Sequence, residues 1–195
     1  MHHTLIFIGK SGTGKGTQVK LLEKYLSAKD PNTPIIPLET GDFLRQYFAS
    51  GTYSSEISKK ITESGGLQPE FITVNMWSNF LLKFMKPDTH IFVDGTPRRL
   101  HEAEVFDSAV RFYDRKNPVV ILINVPQDVL TERLMKRGRT DDTVSGIKKR
   151  MSWFEENVMP CVEYYRNNPH YKFVEIDGDQ TVESVHADIL KAIGI

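Results

Sequence analysis

Nine residues near the start of the chain, Gly9-Lys10-Ser11-Gly12-Thr13-Gly14-Lys15-Gly16-Thr17, carry the plainest chemistry in the sequence. They follow the apolar run Leu5-Ile6-Phe7-Ile8 and precede Gln18-Val19-Lys20-Leu21-Leu22-Glu23-Lys24-Tyr25-Leu26, whose apolar residues fall at helical spacing. Strand, glycine turn, helix is the setting in which a phosphate-binding loop works. Glycines let successive backbone N–H groups point inward. A helix starting near Gly14 and Lys15 adds its positive end, and Lys15 reaches the outer phosphates as a point charge. The strict pattern puts Ser or Thr directly after the lysine, to hold magnesium. Here Gly16 stands there and the hydroxyl comes one residue later, at Thr17. The plain alternative, a glycine turn that binds nothing, has to discount four glycines, a lysine and both flanks.

The elements that must position this loop read as an alternation. Short continuous apolar runs at 5–8, 34–38, 91–93, 119–125 and 173–176 have the pattern of strands buried on both faces of a parallel sheet, with helical segments between them. In such folds ligands bind beyond the carboxyl ends of the strands. Those ends are polar or glycine-rich here: the loop itself, Thr40-Gly41-Asp42, Asp94-Gly95-Thr96-Pro97-Arg98-Arg99, Asn124-Val125-Pro126, and Asp177-Gly178-Asp179. From Thr40 to Pro69 the rhythm breaks into two short helical patterns, 42–49 and 54–63, punctuated by Gly51 and Gly65-Gly66. This is a small helical insert with glycine hinges. Pro69 opens a longer helix to about Met85, whose Phe71, Val74, Trp77, Phe80, Leu81 and Phe84 form one stripe expected to be core. A last helical stretch, 144–166, carries Trp153-Phe154 and Tyr164-Tyr165 as expected packing.

The chain has 195 residues, enough for one well-buried core and a small insert. Its 25 basic and 25 acidic residues balance, which gives no sign of a nucleic-acid groove or an acidic-lipid surface. The single Cys161 fits a reducing cytoplasm. No apolar run approaches a membrane span, and the start lacks the charged and apolar order of a signal peptide. His2 and His3 are given no metal role.

By Asp94-Gly95-Thr96-Pro97-Arg98 the sequence resembles the adenylate kinase family of nucleoside monophosphate kinases. The matching pieces span essentially the whole chain in the family's order. They are the glycine loop with Gln18, then Thr40-Gly41-Asp42 with Leu44-Arg45, then 65–69, Asp94 to Arg98, Arg133 to Arg139 with Asp141-Asp142, and Ile147-Lys148-Lys149-Arg150. The resemblance implies a phosphate-loop NTPase fold, three layers (α/β/α) around a five-stranded parallel sheet. It would be one domain, 1–195, with a helical monophosphate-binding insert at 40–69 and a vestigial lid at 138–142. The implied reaction is reversible transfer of the terminal phosphoryl group of ATP to AMP, giving two ADP, with Mg2+.

Such transfer needs alignment and positive charge around the migrating phosphoryl oxygens more than covalent chemistry. Arginine suits it because its planar fork grips two phosphate oxygens. The resemblance implies that Lys15 and the loop residues Gly12, Thr13, Gly14, Gly16 and Thr17 hold the donor phosphates, with Arg133 against the donor adenine. It implies that Arg45 and Arg98 hold the acceptor's phosphate, while Arg137, Arg139 and Arg150 surround the transferring group. Thr40, Gly41, Leu67, the Gln68 backbone, Gly95 and Glu102 line the acceptor, and Asp94 orders the water shell of magnesium. The turn Gly178-Asp179-Gln180 is a further candidate for the donor base. The partners expected are ATP and a nucleoside monophosphate, AMP first, for a monomer or small homo-oligomer.

Two departures matter. The family's acceptor-adenine glutamine falls, by spacing from Arg98, on Glu102, and a carboxylate only accepts hydrogen bonds. It can take the N6 amino hydrogens of adenine but leaves N1 unmatched. It would suit guanine or cytosine, although Thr40 favours adenylate. In addition, Arg139 follows Lys136-Arg137-Gly138 directly, which leaves no room for a folded lid and no cysteines for zinc. Rival readings are the same transfer to GMP, CMP or UMP, and a nucleotide-binding module without turnover. Water exclusion is expected to fall to movement of the 40–69 insert or to a neighbouring subunit.

Overall fold

A computed structural model describes residues 2–139 and 142–195. Five parallel strands, β1 (Thr4–Ile8), β2 (Ile35–Glu39), β3 (His90–Asp94), β4 (Val119–Asn124) and β5 (Lys172–Asp177), form one sheet in the order β2-β3-β1-β4-β5. Every residue of β1 is buried because its two faces feed two separate cores. Ile6 and Ile8 point to one side and Leu5 and Phe7 to the other, as the two-residue period of a strand requires. On the first side lie α4 (Glu70–Phe84), α5 (Leu100–Phe112) and α8 (Met159–Arg166), through Trp77, Phe106 and Tyr165. On the other lie α1 (Lys15–Lys29) and α9 (Val182–Ile193), through Leu22 and Ile189. Helices on both faces make three layers. A smaller cluster, Leu130, Leu134, Ile147 and Met151, joins α6 (Gln127–Arg137) to α7 (Val144–Trp153).

The edges depart from the expected burial on both faces. Alternate residues of β2 are only partly covered, and β5 is largely exposed along one side. Each pairs with a single neighbour, so its outer side meets less of the helical layers.

Two helices, α2 (Thr40–Phe48) and α3 (Tyr53–Glu63), form the insert. The buried side chain of Gln68 knots it together: its amide donates to the Ser58 carbonyl (2.7 Å) and the Thr62 hydroxyl (2.8 Å), and its oxygen accepts from the Ser58 hydroxyl (2.8 Å). The stripe on α4 is only half core. Trp77 and Leu81 are buried, but Phe71 and Phe84 are exposed and line an open groove of about 550 Å³ against α2, beside Phe43 and Tyr47. Helical period tells which residues share a face, not how much of that face is covered.

The stretch 144–166 is helical throughout but is not one α-helix. A π-helical turn, Phe154–Val158, separates α7 from α8. Pro160 explains it in part: a proline inside a helix removes one N–H donor and crowds the preceding turn, and a wider turn accommodates both. The difference along α4 is measurable by urea denaturation. Trp77→Ala is expected to cost about 3–5 kcal/mol, whereas Phe71→Ser stays within about 0.5 kcal/mol; equal costs would mean that both ends of the stripe are core.

Candidate active site

The loop after β1 ends on Gly14, which takes φ +91 as the residue preceding α1. A side chain would be strained there. No side chain caps α1 and no acidic residue stands in its first turn, so its leading N–H groups face the loop as an anion site. Lys15 curls back, its ammonium donating to the carbonyls of Gly9 (2.7 Å) and Lys10 (3.0 Å). Burial, aided by the charges of Arg98 and Arg137 and opposed by Asp94, pulls its pKa from the usual 10.5 down to about 8.

Beyond the strand ends opens a cleft of about 710 Å³. Gly12, Gly14, Lys15, Gly16 and Thr17 form one wall, Gly41 and Arg45 another, and Asp94, Gly95 and Arg98 the floor; Arg133, Arg137 and Arg139 close the far side. Thr13 turns inward instead: it is buried, and its hydroxyl donates to the Lys10 carbonyl at 3.0 Å, bracing the loop from within. Residues far apart in the chain meet in one space because their loops leave the same edge of the sheet. Asp94 and Glu39 sit side by side in the register of β2 and β3. A Cβ built on Gly16 would stand 3.5 Å from Asp94 Oδ2, so this carboxylate overlooks the loop.

Asp142 organises the cationic side. Its carboxylate is fully buried and accepts two hydrogen bonds from Arg137 (2.9 and 2.8 Å), one from the Arg139 N–H (3.1 Å) and one from Arg150 (2.6 Å). Burial alone would raise its pKa; those hydrogen bonds and the charges of Arg137 and Arg150 outweigh that and hold it below the usual carboxylate range. Arg150 is itself buried and is absent from the cleft wall. It donates to the Asp142 carboxylate that Arg137 also holds. Thr140 and Asp141, within the expected 138–142 lid, lie outside the described residues.

A second, much tighter space of about 10 Å³ lies between the insert and β3, lined by Thr40, Leu44, Leu67, Gln68, Thr73, Gly95, Arg98, Arg99 and Glu102. Glu102 is buried there with both oxygens engaged: one accepts from the Thr96 hydroxyl, the other from the Arg98 N–H at 2.7 Å. The Thr40 hydroxyl is buried on the same wall and has no hydrogen-bond partner among the described residues. On the donor side, Arg133 donates to the Gly178 carbonyl (3.2 Å) and lies 3.7 Å from Asp179, which brings the Gly178-Asp179-Gln180 turn to the cleft's edge.

Sequence reading missed several members of the wall. Lys20, Leu21 and Lys24 face the cleft beside the expected Thr17; counted from Thr17, their i+3, i+4, i+7 spacing is one helix stripe and was available as a signal. Glu39, directly before Thr40-Gly41-Asp42, carried no such signal.

A glycine loop between a buried parallel strand and a helix, facing arginines from four other segments, defines a phosphate-loop phosphotransferase. Comparison with known proteins narrows the class. The adenylate kinase family model matches residues 7–170. An adenylate kinase of Thermosynechococcus vestitus is 33% identical over 97% of this chain and 96% of its own length. One of Thermus thermophilus is 32% identical over 98% and 97%. A uridylate kinase of Saccharomyces cerevisiae is 32% identical over 97% and 90%. The chain belongs to the adenylate kinase family, and is on that footing a nucleoside monophosphate kinase.

The Lys15 pKa has a sign that can be checked. Between about pH 8 and 10.5 the unfolded chain holds a proton that the folded chain has released, so this group makes stability rise with pH across that window. Phosphate oxygens beside the ammonium favour its charged form. Calorimetric titration of the enzyme with ATP at pH 8.5, in buffers of different ionisation heat, is expected to show uptake of a fraction of a proton, lost in Lys15→Met. Uptake that survives in the variant would assign the proton elsewhere.

Proposed function

We propose that the chain transfers the terminal phosphoryl group of ATP reversibly to AMP. The observation that carries the acceptor is the Thr40 hydroxyl, buried and without a hydrogen-bond partner among the described residues, on the wall it shares with Glu102. A hydroxyl can donate where a carboxylate cannot. Thr40 and Glu102 together offer a donor to a ring nitrogen of adenine and an acceptor to its amino group. Glu102 retains that capacity because a carboxylate has about four lone-pair positions and only two are used by Thr96 and Arg98. The space of about 10 Å³ is smaller than a base, so a base enters as α2 and α3 shift away from β3.

In this reading Arg45 and Arg98 grip the acceptor phosphate, Lys15 and the loop N–H groups the donor tail, and Arg133 the donor adenine. Arg137 and Arg139 neutralise charge spread over the group in flight. Asp142 fixes Arg137 in place and holds Arg150 next to it, and Arg150 completes the ring of cations around the transferring group. The oxygen donors of Asp94 and its neighbour Glu39 suit a magnesium ion that keeps most of its waters. When bound with ATP, that ion supplies charge neutralisation between the donor phosphates. We take the compartment to be reducing cytoplasm, because Cys161 is the one cysteine of the chain and is a free thiol.

A second reading, with another base on the acceptor, is favoured by Glu102 itself and by the likeness to a uridylate kinase. A coupled assay with ATP, Mg2+ and each of AMP, GMP, CMP and UMP separates the two. AMP is expected to give the highest kcat/KM; turnover with none would leave a binding module. Glu102→Gln is expected to raise the preference for AMP about 5- to 10-fold, the scale set by one buried polar mismatch. An unchanged preference would take Glu102 away from the base.

The connection 138–143 between α6 and α7 is too short to cover the cleft, so water exclusion falls to the insert. ATP hydrolysis without acceptor is expected to be at least about 100-fold slower than transfer, an order-of-magnitude figure for a site that closes over its substrates. Hydrolysis as fast as transfer would show that closure of the insert does not protect the phosphoryl group.

A further inference from the structure

The π-helical turn at 154–158 lies outside the expected machinery, yet it reaches both the phosphate loop and Arg99, the neighbour of Arg98. Glu155 pairs with Lys10 of the loop at 2.7 Å. Asn157 accepts from Arg99 at 3.0 Å and donates to the Trp153 carbonyl at 3.2 Å. Single π turns inside helices are uncommon and frequently mark functional positions. What this one positions is Trp153, the last residue of α7, a half-buried ring with two commitments. Its indole N–H donates to the Gly65 carbonyl at 3.0 Å. Its face lies 5.3 Å below the Arg98 guanidinium, a distance at which cation and ring attract. The ring also walls a small cavity of about 30 Å³ behind Lys15 and Arg98.

Gly65 is the exit hinge of the insert. It takes φ +70, and a Cβ there would stand 2.9 Å from the Gly146 Cα. The hinge backbone thus lies directly on α7, the helix that ends in Trp153.

We propose that Trp153 is a positioning residue that ties the exit hinge of the insert to the guanidinium of Arg98, coupling acceptor occupancy to insert position through one indole. This rests on the reading of Arg98 as an acceptor-phosphate arginine. When a phosphate draws Arg98, the ring beneath it feels the shift, and the same ring holds Gly65. Conversely, movement of the hinge changes the support under Arg98. The donor site shares neither contact, so the coupling is one-sided.

Two measurements test it. In steady-state kinetics, Trp153→Leu removes both face and N–H. It is expected to raise KM for AMP about 5- to 10-fold, the scale of one partly desolvated cation–ring contact, while KM for ATP moves less than about twofold. Trp153→Phe keeps a ring under Arg98 but loses the N–H that holds Gly65, and is expected to recover only part of the loss. A ring that only packed would lower the melting temperature and leave the two KM values moving together, which would overturn the proposal. In equilibrium fluorescence, AMP alone is expected to change the emission of the wild-type protein, and the change is expected to vanish in Trp153→Phe, because Trp77, the other tryptophan, is buried in the core. A change that persists in Trp153→Phe would also overturn it. Arg98→Ala separates the levels. If it raises KM for AMP and Trp153→Leu does not, the coupling fails and the acceptor reading stands; if neither does, both fail.

Discussion

Crowding like charges into one cleft is the constraint on which the rest of this fold depends. Lys15, Arg45, Arg98, Arg133, Arg137 and Arg139 border a single space, and their mutual repulsion must be offset by the protein. Three devices do this. Lys15 turns its ammonium onto loop carbonyls, and its lowered pKa registers both the burial and the neighbouring guanidiniums. Arg45 folds onto Asp42 within α2. Arg137 and the Arg139 backbone converge on Asp142, with Arg150 behind. A buried carboxylate is costly unless its lone pairs are filled, and here cations on both sides fill them. Polyphosphate is the anion that this arrangement complements, so binding and catalysis draw on the same field.

The sheet makes such crowding possible without a strained chain. With strand order β2-β3-β1-β4-β5, the loop after the central β1 lies between those after β3 and β4. Asp94, Gly95 and Arg98 therefore arrive from one side, and α6 with Arg133 and Arg137 from the other. Cores on both faces hold β1 rigid, so the loop geometry rests on the best-buried part of the molecule. The insert, by contrast, packs through a few contacts and its own Gln68 knot. The best-buried strand thus carries the phosphate loop, while the insert is held by contacts of its own.

Most of this was legible in the sequence where local chemistry and position coincide. The glycine loop, the five strands and the insert could be read because glycine punctuation and apolar runs report directly on backbone geometry. Arg98 was legible from Asp-Gly-Thr-Pro-Arg. What stayed hidden depends on tertiary coverage. The α4 stripe gave the right face, but its ends, Phe71 and Phe84, are exposed along an open groove beside α2. Arg150 stood in the expected motif, yet its place behind Asp142 is set by the packing of α7 on α6. Pro160 was a visible warning that 144–166 could not be one regular helix. That the interruption would put Trp153 beneath Arg98 and beside Gly65 needed three segments in space.

The short connection 138–143 changes how the parts of this fold can divide their labour. Here Arg137, Arg139 and Arg150 share one buried carboxylate on that connection, so displacement of any one pulls against the others. These cations are therefore held in place by a carboxylate of the protein itself. Such preorganisation lowers the reorganisation cost of the chemical step. On the side of the insert, the backbone contact of Gly65 with Gly146 leaves no room for a side chain. A hinge packed that closely on α7 cannot move without α7 sensing it. One carboxylate and one glycine contact thus tie α6, α7 and the end of the insert to one another.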